Sequence, residues 1–364
     1  MSRPFHPKRI LVISLAGIGD TLQATPVLHE LRLQFPSARI DVAVLWPGSA
    51  QLLEGNPRIN TVHQFNLIQG PRHRSLAFLL RLRAQRYHLS LTLHPQGRRE
   101  YRVVTRIINA QRRLSHQYEN QSWFDRWLVT DSIPQDYAVS GAENNLRLLS
   151  LLGLQRQLRE AQLEVTLSDS ERQWASLWEQ EHGITGTPWL GVHVGSGGTK
   201  NLSLRRWPAH CWIQFCRRFA ELHPKVPIVA FGGPGEADVH HQLQSTLSPS
   251  TFRVADTPSL RHAAALVARA RSFLSVDTAF MHIAAAVRVP HQCVIETPTL
   301  NPPVEPLRPD WTRIPNPAVA GRFLDFYRYD GRPIAGSPIE LTRIMESVTA
   351  DSVIQQVARG FAVT

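Results

Sequence analysis

Arg9-Ile10-Leu11-Val12-Ile13-Ser14-Leu15 is a dense apolar run, and Ala16-Gly17-Ile18-Gly19-Asp20 closes it with two glycines and an acid. An apolar run of this length reads as a strand. Helical spacing follows in Leu22, Val27, Leu28 and Leu31, so the opening is strand, loop, helix. The same unit recurs downstream. Ile40 to Leu45 predicts a second strand, Val62 to Leu67 a segment that can pair with the sheet, Leu76 to Arg86 a helix and Leu89 to Leu93 another strand. Strands alternating with helices predict a parallel α/β sheet with right-handed crossovers.

The rhythm restarts after Glu164-Val165-Thr166-Leu167, where Ser168-Asp169-Ser170-Glu171 carries the cap and early acids of a helix start. Trp189 to Val194 then predicts a strand that ends in Gly195-Ser196-Gly197-Gly198. A helix from about His210 to Leu222, a strand from Val226 to Phe231, and a strand-to-helix passage from Phe273 into Met281–Val287 complete the pattern. The expected class is α/β with two Rossmann-like domains, 1–170 and 171–364, facing each other across a cleft. At 364 residues two domains also fit the size at which single cores stop growing.

Charge narrows the partners. The chain has 40 Lys and Arg against 29 Asp and Glu. The excess concentrates between Arg72 and Arg113, where eleven arginines, among them Arg72, Arg74, Arg98 and Arg99, face one acid, Glu100. Such a segment attracts nucleic acid, anionic lipid or a phosphorylated sugar, and charge alone does not choose among them. Helix-turn-helix and finger patterns are missing from the sequence, and so are the interleaved aromatics of single-strand binders, so nucleic acid is not the expected partner. The three cysteines, Cys211, Cys216 and Cys293, form no metal-ligand spacing and read as reduced, buried thiols. The apolar run after the basic first residues is too short for a signal peptide, and no stretch reaches the ~18 apolar residues of a membrane span. A cytoplasmic protein is expected, with a peripheral contact at the inner membrane allowed.

Four places carry candidate chemistry. Gly17-Ile18-Gly19-Asp20 sits where helix N–H groups favour an anion. Leu22 occupies the place of the third glycine of a dinucleotide fingerprint, which argues against a nicotinamide cofactor. The Asp20 carboxylate stands at a helix N-terminus facing the expected cleft, or serves simply as the helix N-cap. Gly195 to Gly198 followed by Thr199-Lys200 and by Arg205-Arg206-Trp207-Pro208 mixes backbone donors, hydroxyls and cations suited to a diphosphate. Gly232-Gly233-Pro234-Gly235-Glu236 puts a carboxylate beyond a strand, where a ribose diol can bind. Asp277-Thr278-Ala279-Phe280-Met281-His282 offers helix-terminal N–H groups and an imidazole.

In this order the motifs resemble glycosyltransferase family 9, the heptosyltransferases. The similarity takes in Arg9 to Asp20, Thr25-Pro26-Val27-Leu28, His193 to Pro208, the Gly232–Glu236 turn, Asp277-Thr278 with His282, and a closing helix around Met345–Val357. The resemblance implies the two-Rossmann GT-B fold, with an acceptor-binding first domain and a nucleotide-sugar-binding second domain. It further implies inverting, metal-independent transfer of a heptose from ADP-heptose to a lipopolysaccharide inner-core or related anionic glycan, with no cofactor. Asp20 would be the general base. Ser196, Thr199, Lys200, Arg205, Glu236, Asp277, Thr278, Ala279 and His282 would bind the donor, and Gly19 with Arg72, Arg74, Arg98 and Arg99 the acceptor. Three features depart from the family pattern: Arg205 replaces a lysine, Ala279 a glycine, and Ile295 to Pro303 the usual Gly-Pro-Thr turn. Two other enzymatic or binding readings are a same-fold transferase with a different nucleotide sugar or small-molecule acceptor, and a catalytically silent sugar-nucleotide binder. A non-enzymatic polyanion or nucleic-acid binder is the alternative from another class.

Overall fold

β1 (Arg9–Ser14) is buried from its second residue to its last, and successive side chains enter different cores. Ile10 and Val12 join Ile40, Val42 and Leu91 on one face, while Leu11 and Ile13 join Ala43, Phe78 and Leu82 on the other. A strand with helices against both faces has no wet side, which is why its sequence does not alternate. The computed structural model describes residues 5–198 and 201–362. Thr199 and Lys200 therefore lie outside the described residues.

In the first unit β1 is flanked by β2 (Arg39–Val44) and β4 (Leu89–Thr92), with β3 (Thr61–Gln64), β5 (Arg112–Gln117) and β6 (Asp131–Pro134) outside them. The order is β3-β2-β1-β4-β5-β6 and all the pairings are parallel. The order reverses between β1 and β4. The chain therefore leaves the two central strands in opposite directions, opening a crevice at their carboxyl ends.

The second unit repeats the arrangement with β7 (Leu190–His193), β8 (Ile228–Phe231), β9 (Phe252–Val254), β10 (Ser272–Ser275), β11 (His291–Ile295) and β12 (Thr312–Ile314). Its order is β12-β11-β10-β7-β8-β9, again parallel, with the reversal between β7 and β10. Helix Ala209–Leu222 lays Trp212, Phe215, Cys216 and Phe219 into its core, and helix Ala350–Ala358 adds Val353 and Val357. The three cysteines are free and buried; burial raises all three thiols, Cys211 to about 11 and Cys293 to about 12.

The units divide at Thr166 and Leu167, and the segments Pro302–Leu307 and Tyr329–Arg332 belong to the first. A single boundary near 170 leaves those two returns out. The closing helix expected around Met345–Val357 is two helices, Pro338–Glu346 and Ala350–Ala358. The break comes at Thr349, whose hydroxyl accepts the Ser352 N–H at 3.3 Å and caps the second helix. The helix predicted at Leu76–Arg86 begins earlier, at Arg72, directly after Pro71. Among the described residues no helix is long and apolar enough to cross a membrane.

Candidate active site

The loop after β1 winds straight into the short helix Ile18–Leu22, which places Asp20 in its first turn. The N-cap of this helix is Gly17, not Asp20: Asp20 is the third helical residue, and its carboxylate closes the cap by accepting the Gly17 N–H through Oδ2 at 2.9 Å. A Cβ at residue 17 would come within 2.9 Å of that oxygen, which is why glycine stands there. Thr21 holds the same turn from the inside, donating to Ser49 Oγ at 2.9 Å. Asp20 is half-buried and Gly19 is buried behind it.

Across the reversal, the loop after β4 contributes a residue that the sequence motifs do not flag. Gln96 is buried, and its amide donates to Ile13 O at 2.6 Å and to Leu93 O at 2.8 Å while accepting the Leu15 N–H at 3.3 Å. It therefore ties the exits of β1 and β4 together at the mouth of the crevice. The Gln96 N–H donates to Tyr118 Oη at 3.0 Å, and Tyr118 lies beside His94. Burial depresses His94 well below the ordinary imidazole value and pushes His116 down to about 3, so both are neutral near pH 7. Burial raises the Tyr101 and Tyr118 hydroxyls, and the Asp20 charge adds to both shifts. The signal available in the sequence is His94-Pro95-Gln96-Gly97, a turn placed directly after a predicted strand.

The expected basic face is only partly free. Arg102 is buried against Asp125 and the Tyr118 ring, and Arg112 and Arg113 are spent on Asp131 and on backbone carbonyls. Arg99 is engaged with Asp125 at 3.3 Å and Ser122 at 3.0 Å. Arg72 and Arg74 stand exposed at the start of helix Arg72–Ala84, and Arg98 is exposed before helix Arg99–Ile108. The reading of the segment as one uniform binding patch is corrected accordingly: a long arginine is also a core and capping residue when a carboxylate or aromatic ring lies within reach.

In the second unit the loops after β7 and β10 meet at the other reversal. Asp277 is buried, and its Oδ2 accepts from Arg205 Nη1 at 2.6 Å and from Thr299 Oγ1 at 2.5 Å. Burial raises the Asp277 carboxyl against the opposing pull of Arg205 and Thr299. Arg205 thus stands in the loop cluster as one half of an ion pair. Arg206 braces the loops instead, donating to Ser196 O at 2.9 Å and to Gly235 O at 3.1 Å and reaching Glu236 Oε1 at 3.2 Å. Glu236 also accepts the Gly233 N–H at 2.9 Å. A Cβ on Gly195 would collide with the Glu236 carboxylate, so glycine there lets the two loops close on each other. The Ser196 hydroxyl turns inward to Leu202 O at 2.9 Å, and its carbonyl is the one that accepts from Arg206.

Thr278 caps helix Ala279–Ala286, its hydroxyl accepting from Phe280 N at 3.1 Å and Met281 N at 3.4 Å. Ala279 is the first residue of that helix and has no positive φ, so the missing glycine costs the turn nothing. His282 lies one turn further on. Burial, with the Arg205 charge, drives it to about 3, and its Nδ1 has no hydrogen-bond partner. His193, at the end of β7, is likewise pushed down to about 3 by burial and stacks on Phe280 at 4.5 Å. The departure at Ile295 to Pro303 has a use as well, because it supplies Thr299 to Asp277. Among the described residues no group of three or more His, Cys, Asp or Glu side chains is arranged to hold a metal ion.

One unit thus carries a carboxylate at its strand-order reversal, and the other a capped helix end, an imidazole and a Gly-rich loop. Comparison with known families bears on the fold and the class of activity. The model of glycosyltransferase family 9 (heptosyltransferase) matches residues 76–294. The chain belongs to that family. It is a glycosyltransferase, and its two parallel α/β units are those of the GT-B class. The matched stretch starts after Asp20, so the family assignment and the geometry around Asp20 are separate observations. The chain is similar to lipopolysaccharide heptosyltransferase 3 of Escherichia coli, 27% identical over 284 residues that make up 75% of this chain and 78% of that one. In fold, this family 9 transferase resembles the family 9 glycosyl transferase from Veillonella parvula, with a TM-score of 0.75 at 19% identity over 97% of each chain. It also resembles the E. coli ADP-heptose lipopolysaccharide heptosyltransferase II, with a TM-score of 0.70 at 17% identity over 97% of this chain and 98% of that one.

Proposed function

We propose that this enzyme moves a heptose from ADP-heptose to an inner-core lipopolysaccharide or related anionic glycan acceptor, with inversion and without a metal or cofactor. The observation that carries the reading is family membership joined to a carboxylate in the first turn after β1. Similarity to lipopolysaccharide heptosyltransferase 3 of E. coli supports the acceptor class, and the E. coli enzyme that shares the fold is itself named for ADP-heptose.

In this reading Asp20 takes the proton of the acceptor hydroxyl as that oxygen attacks the anomeric carbon. The new C–O bond forms on the face opposite ADP, the bond to the diphosphate oxygen breaks, and ADP leaves with the electron pair. Charge building on the diphosphate is met by the N–H groups of Thr278 and Ala279 and by Arg205, with Thr199 and Lys200 as further donor-binding residues. His282, neutral near pH 7, serves as a hydrogen-bonding partner for the donor and not as a cation. Glu236 receives the ribose hydroxyls. Peripheral work at a membrane face suits a lipid-anchored acceptor.

Titration calorimetry with ADP-heptose, ADP-glucose, UDP-glucose and UDP-GlcNAc in the presence of a chelator tests the donor. Selective binding of ADP-heptose is expected. Preference for a UDP-sugar would move the enzyme to another donor class, and a requirement for added divalent metal would overturn the metal-free reading.

A further inference from the structure

Large apolar side chains left in water are unevenly distributed. Among the described residues eleven are strongly exposed, and seven of them, Ile68, Leu76, Leu80, Val103, Trp123, Phe124 and Trp127, fall between residues 68 and 127. Trp123 and Trp127 are 73% and 71% exposed, at the two ends of a single 3-10 turn. Two tryptophans in such positions are held out by the fold, because the carboxylate between them is fixed. Asp125 is buried and accepts the Ser122 N–H at 2.7 Å, closing the turn so that both indoles point away from the core.

These side chains sit on adjoining elements. The turn is tied to the start of helix Arg99–Ile108 through Arg99, which bonds Ser122 and Asp125. That helix packs on helix Arg72–Ala84, and Arg83 Nη1 donates across to Ile107 O at 3.2 Å. Along helix Arg72–Ala84, Arg72, Leu76, Leu80 and Arg83 follow helical spacing on a stripe separate from the buried Phe78, Leu79 and Leu82. On its neighbour, exposed Val103 stands beside exposed Arg99 and Arg106. Exposed Arg126 lies inside the tryptophan turn.

Apolar and aromatic tips interleaved with guanidinium groups, and with almost no acids, match one surface chemically. Indole rings partition into the boundary between headgroups and acyl chains, arginine stems extend along apolar surface to reach phosphate, and clustered basic groups are drawn to anionic headgroups. We propose that this face of the first unit docks on an anionic phospholipid bilayer, with Trp123, Trp127, Leu76 and Leu80 entering the interface and the surrounding arginines contacting lipid phosphates. A nucleic acid would use the arginines but leave the aliphatic stripe wet. The inference rests on the peripheral membrane contact in the proposed function and gives it a surface; vesicle binding is read without donor or acceptor, so either reading can fail alone.

The test is co-sedimentation of the full chain with phosphatidylcholine vesicles and with vesicles in which about one third of the lipid is phosphatidylglycerol. Binding to the anionic vesicles, weakened by salt, is expected. Trp123→Ser with Trp127→Ser should lower the partition coefficient roughly tenfold or more. Leu76→Ser with Leu80→Ser should lower it by a smaller factor, and Arg72→Gln with Arg74→Gln should reduce the preference for anionic over neutral lipid. All six side chains are solvent-facing, and an unchanged thermal melt verifies that each variant is folded. The proposal is overturned if the wild type ignores anionic vesicles or if the tryptophan variant binds them equally. It is overturned as well if the tryptophan changes dissociate a dimer in sedimentation velocity without affecting lipid, or if a single-stranded oligonucleotide is bound and vesicles are not.

Discussion

Asp20 and Asp277 each follow a central strand at a reversal of strand order, yet the fold treats them differently. Asp20 is half-buried and accepts the Gly17 N–H of its own turn, and Asp277 is sealed in the core between Arg205 and Thr299. A carboxylate that must exchange a proton with an incoming hydroxyl needs access. One that braces a loop needs partners on its lone pairs and no water. The same residue type, beyond the first strand of one unit and the fourth strand of the other, is therefore suited to chemistry in one and to architecture in the other, with burial and pairing making the difference.

The largest expected effect separates the two. Asp20→Asn should lower kcat by about two to four orders of magnitude while ADP-sugar affinity and melting temperature stay near wild type. Equal loss of binding and turnover would break the assignment of Asp20 as base. Asp277→Ala should do the reverse: it leaves the largely buried Arg205 guanidinium without its carboxylate partner, costing about 3 kcal/mol or more in the second unit, seen as a lowered melting temperature and weakened donor binding. An Asp277 variant with native stability but no turnover would instead make it a second catalytic acid.

A pH series sharpens the comparison across both units. His116 in the first unit and His193 and His282 in the second are driven to about 3 by burial, and His94 is also strongly lowered. Each is neutral in the fold but takes a proton in the unfolded chain below its ordinary value of 6.5, so the unfolded state binds more protons and stability falls as pH drops. Each contributes up to about 1.4 kcal/mol per pH unit within that window, so denaturant midpoints should decline steadily from pH 6.5 downward. A flat profile between pH 6.5 and 5 would show that these rings are solvated. The smallest effect is expected from Thr278→Ala, which removes the cap of helix Ala279–Ala286 and should cost about 1 kcal/mol, with a modest loss of donor affinity. If donor affinity falls far more than stability, the hydroxyl itself touches the donor.

Much of this is legible in the chain. The apolar run at Ile10 to Ser14 and its glycine-bounded end predict a strand, because two-sided burial leaves a local signature. Asp20, Thr278 and Glu236 stand out by the same logic, since each lies just beyond a strand. Gln96 is harder to see: its importance comes from three backbone partners on two strands that are about eighty residues apart in sequence. The arginine segment reads as a single surface for a related reason. Composition counts charges, but Arg102 and Arg113 find their partners only after the sheet has formed.

The sequence by itself determined the class of fold, the repeat of the αβ pattern and the positions where ligand-facing loops must leave their strands. These follow from local periodicity and from the geometry of glycine, proline and capping residues. The tertiary structure alone decided which of two aspartates is accessible, which guanidinium groups are spent internally and which tryptophans remain in water. Burial and pairing are properties of three-dimensional neighbours, and residues distant in sequence become neighbours only when the sheet brings them together.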